Sequence, residues 1–272
     1  MTTGDWVRSV IPASIRPYKV LCNLAWSSTN GSVAAGPFRG TKYVRQAANS
    51  SLVPKLLGTY ERELFPIVER LLSSRMSLLV DIGAAEGYYA IGFARRCSDM
   101  KVIAFDRDVR ARELIADLAR LNNVADRVNV RGECSVESLQ KALDGHDVLV
   151  ICDVEGYEAS LLDPGLVPGL DQVTLLVEVH DALVPGAGDL LVSRFSSTHR
   201  IARIEASART EADCPPFHPL LRVMPKETVV SLIVERPNDG SMYWLLMEPT
   251  LSRYEERPGD DPPRTLSSMA RS

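Results

Sequence analysis

The 272 residues suffice for one sizeable α/β domain with appendages and are short for two independent cores. A chain that is 45% apolar and 24% charged has ordinary globular composition, and no apolar run nears the roughly 18 residues that span a bilayer. The net charge of −4 is uneven: through Gly58, seven basic residues (Arg8, Arg16, Lys19, Arg39, Lys42, Arg45, Lys55) face the single acid Asp5, which makes that segment +6 and the remainder −10.

The acidic remainder, without a basic and aromatic-studded surface, argues against a nucleic-acid partner. The basic segment reads as an arm for an anionic surface or as a solvated leader, and the leader is preferred because no cluster is dense enough for a polybasic patch. The start "MTTGDWVRSV" lacks the charged-then-apolar layout of a secretory signal. Cys22, Cys97, Cys134, Cys152 and Cys214 are scattered with no C-x-x-C pair, so they read as free thiols in a reducing compartment. The expected location is the cytoplasm.

In chain order, residues 1–58 read as an irregular to helical segment, broken by "SSTNGS" and "AAGPFRG". A domain is expected over 59–251. It opens on a helix in "YERELFPIVERLL", where Tyr60 and Glu61 read as the helix start. From 77 to 206 strands alternate with helices. The strands are "SLLVDIG", "KVIAFD", "RVNVRGE", "DVLVICD", "VTLLVEV" and "HRIARIEA". Their near-continuous Val, Ile and Leu content is what strands covered on both faces require. The rhythm predicts a Rossmann-like, doubly wound, mostly parallel seven-stranded sheet with helices on both faces. An insert over 207–238 breaks it, and "TVVSLIVERP" within the insert reads equally as strand or helix. A last strand is expected over 242–247, then a Pro-rich, charged tail over 252–272 without fixed structure.

The informative stretch is "LLVDIGAAEGYYAIGFARR". Asp81 ends a strand, Gly83 and Gly87 frame a turn, and Tyr88 opens a helix. Small residues at 83–85, Ala84 among them, allow a ligand close to the backbone. A pyrophosphate loop should be free of acids, whereas this one holds Asp81 and Glu86. Two carboxylates suit a ligand with a cationic amino-acid end, and S-adenosylmethionine carries an ammonium, a sulfonium and no phosphate. Asp106, with Arg107 beside it, ends the next strand about 20 residues past the loop, where an acid accepts from ribose hydroxyls. Asp108 reads as a helix cap. Glu133 and Cys134, at the third strand end, fall where an adenine edge and face would be met.

The motifs "VDIGAAEGYYA", "AFDRD", "RGE" and "VICDVEG" resemble those of class I S-adenosylmethionine-dependent methyltransferases. Within that superfamily "CDVEGYEASLLDPG" followed by "LLVEVHD" is similar to FkbM-type enzymes. The resemblance covers residues 77–206 and the last strand, and implies methylation of a hydroxyl on a small molecule or glycan. A homo-oligomer is an open alternative for partners. The readings set against this one are an N- or nucleic-acid methyltransferase and a non-catalytic cofactor-binding scaffold.

Methyl transfer to a hydroxyl needs positioning, exclusion of water and a route for one proton. "CDVEGYE" supplies Asp153 and Glu155, and "VEVHD" supplies Glu178, His180 and Asp181, all expected on one sheet edge. In the preferred, metal-free route His180 or Asp153 is the general base. In the other, Asp153, Glu178 and His180 bind Mg²⁺ or Mn²⁺ as a second cofactor. Plainer readings make Asp153 an ammonium ligand, Glu155 a helix cap and His180 a loop residue. His146 and His199 read as surface residues, and His218 as a residue of a Pro-rich loop.

Overall fold

A computed structural model describes residues 17–48, 50–143, 147–219, 224–235 and 242–250. The expected C-terminal tail, His146, Arg8 and Arg16 lie outside these residues.

The apolar runs become strands whose alternate residues enter opposite cores. In β1 (Leu78–Ile82), Leu79 packs into one cluster and Val80 and Ile82 into the other. In β4 (Val148–Cys152), Leu149 and Ile151 face the first while Val148, Val150 and Cys152 face the second. Period-two alternation across a sheet with two covered faces accounts for the unbroken hydrophobicity. The other strands are β2 (Lys101–Phe105), β3 (Val128–Arg131), β5 (Thr174–His180), β6 (His199–Glu205) and β7 (Met242–Pro249).

The seven strands run in the order β3-β2-β1-β4-β5-β7-β6. The pairings β1–β2, β1–β4, β2–β3 and β4–β5 are parallel. β7 is antiparallel to both β5 and β6 and separates them, so the sheet is mixed. Register aligns Ile82 with Phe105 and with Cys152, which brings the C-terminal ends of β2, β1 and β4 to one edge.

The helix α3 (Phe65–Leu72) precedes β1, and the helices α4 (Tyr88–Arg96), α5 (Val109–Leu121), α6 (Val136–Ala142), α7 (Glu158–Leu161) and α8 (Ala187–Phe195) follow β1 to β5 in turn. α5 starts where Asp108 Oδ1 accepts from Arg110 N at 2.9 Å, as the sequence predicts. α6 starts on a reciprocal Ser135–Ser138 capping box.

Two expectations change. The described residues before Gly58, from Pro17 on, are not an appended leader: Val33, Phe38, Tyr43 and Leu56 belong to the first core cluster, with Leu79 and Phe93. Within that segment α1 (Pro17–Thr29) packs on α2 (Leu52–Leu57), and both meet the insert through Val229, Leu232 and Ile233. The ambiguous "TVVSLIVERP" contributes to the helix α9 (Lys226–Ser231), whose Val229 faces that third cluster. The insert is further tied down by buried Arg209, whose guanidinium meets Glu63 and Glu235 at 2.9 Å each. His199 is buried rather than superficial, and its Nε2 lies 3.0 Å from the Val173 carbonyl.

Phe38 shows how firmly the early segment is keyed in. Its ring meets Tyr88 edge-on at 5.1 Å, and a Cβ on Gly92 of α4 would stand 2.5 Å from its carbons. Gly92→Ala should therefore destabilise by about 1–3 kcal/mol despite alanine's helix preference. Thermal unfolding checks this, and a midpoint at or above wild type would show that the ring does not seat there.

Candidate functional site

The β1–α4 loop turns at Gly83 (φ +80°), where a Cβ would overlap the Asp153 carbonyl oxygen, so only glycine fits. Its amides are committed internally. Gly83 N and Ala84 N both donate to the Phe105 carbonyl at 3.0 Å, and Gly87 N donates to the Ala84 carbonyl at 2.7 Å. Ala85 N donates to Asp106 Oδ2 at 2.8 Å. A loop that has spent these donors has little left for a phosphate.

A cavity of about 420 Å³ opens over this loop at the C-terminal strand ends. Asp81, Gly83, Ala84, Asp106, Arg107, Glu133, Cys134, Asp153 and Glu155 of the expected site residues line it. Tyr88 lines it too, although mostly buried against Phe38 and Tyr60.

Each acid has its own setting. Asp81 is 3% exposed and accepts from Ala90 N at 2.9 Å in the first turn of α4. Burial pushes its carboxyl up to about 7, the Ala90 bond opposes this, and the neighbouring charges of Asp153 and Asp106 add to it. Asp106 is half-buried, and its Oδ1 accepts from Asp108 N at 2.8 Å. Its pKa is also raised by burial, against the pull of those amide bonds. Cys134, beside exposed Glu133, has its thiol raised to about 11 by burial, which disfavours the nucleophilic thiolate.

Glu86 corrects the sequence reading. It is fully buried and does not line the cavity. Oε1 accepts from Tyr43 OH and Lys55 Nζ, both at 2.6 Å. Oε2 accepts from Ala48 N at 3.1 Å and Ser50 Oγ at 3.2 Å. Burial acts to raise its pKa, but the Lys55 charge and these hydrogen bonds hold it low. Glu86 is thus the internal anchor of the early segment rather than a ligand for a cation. Gly87 likewise stands behind the loop, as the left-handed cap of α4 at φ +98°.

The next two strand ends hold the second group. His180 closes β5, with Nδ1 2.6 Å from Glu158 Oε1 and Nε2 3.7 Å from Asp153 Oδ1. Burial opposes the charged ring, but the Glu158 bond and the charges of Asp153, Glu158 and Glu155 raise its pKa overall. Burial would raise Glu158, yet its bonds to His180 and to the Gly156 amide keep it low. Glu158 is therefore a carboxylate that favours the imidazolium form of His180, with the Nδ1 proton directed to it. One donor atom each from Asp153, Glu178 and His180 lie within 4.8 Å of one another.

Glu155 is exposed, with φ +55°, and does not cap α7, whose cap position is Tyr157. Asp181, expected to join this group, turns away: it accepts from Gly188 N at 3.0 Å and Tyr243 OH at 2.8 Å, tying α8 to β7. Glu61 stands at the helix start as expected, in the cap position of the 3-10 turn Arg62–Leu64 that leads into Phe65–Leu72, and its carboxylate also meets the Tyr89 hydroxyl. The sequence reading assigned no role to Glu158 or to Lys55. An unassigned acid five residues past Asp153 was the only local hint for Glu158, and Lys55 gave none.

No protein-family model matches the chain, and no curated protein matches it. Solved structures similar to it include the cofactor-bound protein Rv0187 from MTB, 12% identical over 90% of this chain and 94% of that one, with a TM-score of 0.47. A SAM-dependent O-methyltransferase from Thermotoga maritima is 14% identical over 67% and 63%, with a TM-score of 0.41. The precorrin-6y C5,15-methyltransferase from Geobacter metallireducens is 15% identical over 67% and 87%, with a TM-score of 0.43. At this level of likeness none of their activities transfers to this chain. No helix among the described residues is long and apolar enough to cross a membrane.

Proposed function

We propose that this chain is an S-adenosylmethionine-dependent methyltransferase of FkbM type, acting on a hydroxyl of a small molecule or sugar. One observation carries the reading: the carboxylates that end three adjacent parallel strands, Asp106, Asp81 and Asp153, line one cavity of about 420 Å³. Parallel strands present ligands at this edge. The fit is chemical as well as spatial, because the loop amides are spent and the acids favour a cationic ligand.

When bound, S-adenosylmethionine supplies an electrophilic methyl on a sulfonium. Asp106 would hold the ribose hydroxyls, since each of its oxygens keeps acceptor capacity beyond the amide bond it makes. Glu133 and Cys134 would border the adenine. Asp153, at the far side, would accept the acceptor hydroxyl's hydrogen bond, with His180 Nε2 behind it to take up the proton. Glu158 fixes the His180 ring and stabilises the charge it gains, the role a buried carboxylate has behind a catalytic imidazole.

Calorimetry with S-adenosylmethionine, S-adenosylhomocysteine and NAD tests this. Binding of the two sulfur ligands and not of NAD is expected; binding of neither sulfur ligand overturns the reading.

The convergence of Asp153, Glu178 and His180 supports a second reading, in which an oxygen-preferring ion such as Mg²⁺ or Mn²⁺ orients the acceptor. Glu158 behind Nδ1 is the carboxylate partner such a histidine usually has. Turnover lost in chelator and regained with Mn²⁺ is the expected result for that reading, and turnover unchanged by chelator rejects it.

A further inference from the structure

Among the residues that line the cavity, the cations are Lys55 and Arg107. Arg107 is exposed and adjoins Asp106, at the end proposed for the ribose. Lys55 is different. It is 2% exposed, donates to Glu86 Oε1 at 2.6 Å and Ser50 Oγ at 2.8 Å, and lies 4.6 Å from the Tyr60 ring centroid. In the sheet order Asp106 follows β2 and Asp153 follows β4, on opposite sides of β1, so Asp153 marks the other end of the cavity, and Lys55, also 5.6 Å from the Tyr88 ring centroid, stands at its α4 side.

We propose that Lys55, carried by α2 of the early segment, is the receptor for the α-carboxylate at the cofactor's amino-acid end. This rests on the cofactor reading above. A zwitterionic amino-acid group needs a cation and an acceptor; Lys55 would supply the cation, and the ammonium would meet carboxylate capacity of Asp153 beyond that used by the acceptor hydroxyl. Glu86 does not consume Lys55: Tyr43, Ala48 and Ser50 also donate to its two oxygens. An ammonium has three donors, and Glu86 and Ser50 accept two of them. Glu86 therefore anchors Lys55 without exhausting it, and couples the early segment to the cofactor loop from behind. The rest of the cavity lining is acidic or uncharged apart from Arg107, so a carboxylate has no second cation at this end.

The test is calorimetry on the full chain with two ligands, S-adenosylhomocysteine and methylthioadenosine. Both carry the adenosine and a thioether sulfur, and only the first carries the amino-acid group. Lys55→Met and Lys55→Gln are each made in a Glu86→Gln background, so that no unpaired charge is left buried, with the wild-type chain as the reference and the ratio of the two ligands' affinities as the readout. The expected result is a loss of about tenfold or more in S-adenosylhomocysteine affinity with methylthioadenosine unchanged. Lys55→Arg, which keeps the charge, should retain most of the discrimination between the ligands. Equal losses for both ligands, or no loss for either, overturn the assignment. Failure of the wild-type chain to bind either nucleoside removes the cofactor reading itself, and this inference with it.

Discussion

His180→Gln is expected to lower kcat for methyl transfer by about 10²–10⁴-fold, the range for loss of a positioned general base. Glutamine is the informative choice. Glu158 is fully buried and its Oε2 has no partner among the described residues, so alanine at 180 would leave that carboxylate without its main donor. A glutamine amide can still donate to Glu158 while removing the basic Nε2 nitrogen. S-adenosylhomocysteine affinity, read by calorimetry, should stay at the wild-type value, because His180 is not among the residues lining the cavity. Loss of cofactor affinity in step with kcat would assign His180 to binding instead. Retained turnover would remove it from the proton path and leave Asp153 as the base.

The second large effect is expected at Asp106. Asp106→Ala should weaken S-adenosylhomocysteine by roughly 10–150-fold, the equivalent of about 1.5–3 kcal/mol for hydrogen bonds to a charged group. The side chain also pins the Ala85 and Asp108 amides, so part of an alanine effect comes from the loosened loop. Asp106→Asn separates the two. Its amide keeps an acceptor oxygen for one pin, and it removes the charge that favours paired ribose hydroxyls. A substantial loss in both variants supports the ribose role. Wild-type affinity in the alanine variant would show that the cofactor does not meet this strand end.

The strand-end acids were legible because they depend on local signals. Apolar runs of five to seven residues set the strands, and the polar residue that ends each run lies at the sheet edge. Asp81 and Asp153 follow from that rule, as does Asp108 from the capping rule. The charge of Glu86 was equally plain, but its direction was not. It sits in the same loop as Gly83, yet its carboxylate points to Tyr43 and Lys55, which are 43 and 31 residues away in sequence. Glu158 and His180, 22 residues apart, were hidden in the same way. A periodicity reports which face a residue takes and carries no record of which distant side chain waits there.

The early segment makes the same point. Turn-rich breaks and a +6 charge described a solvated leader. In the fold Phe38 fills the space over Gly92, and buried Lys55 pairs with Glu86 at the cavity wall. By itself, then, the sequence determined the alternating architecture, the carboxylate-bearing edge and the glycine turn, since each arises from residues close along the chain. Tertiary structure alone decided which carboxylates face the cavity, which are spent as anchors, and that the early segment completes the wall. Those outcomes depend on pairing charges brought together from far apart, where burial makes an unpaired charge too costly to leave.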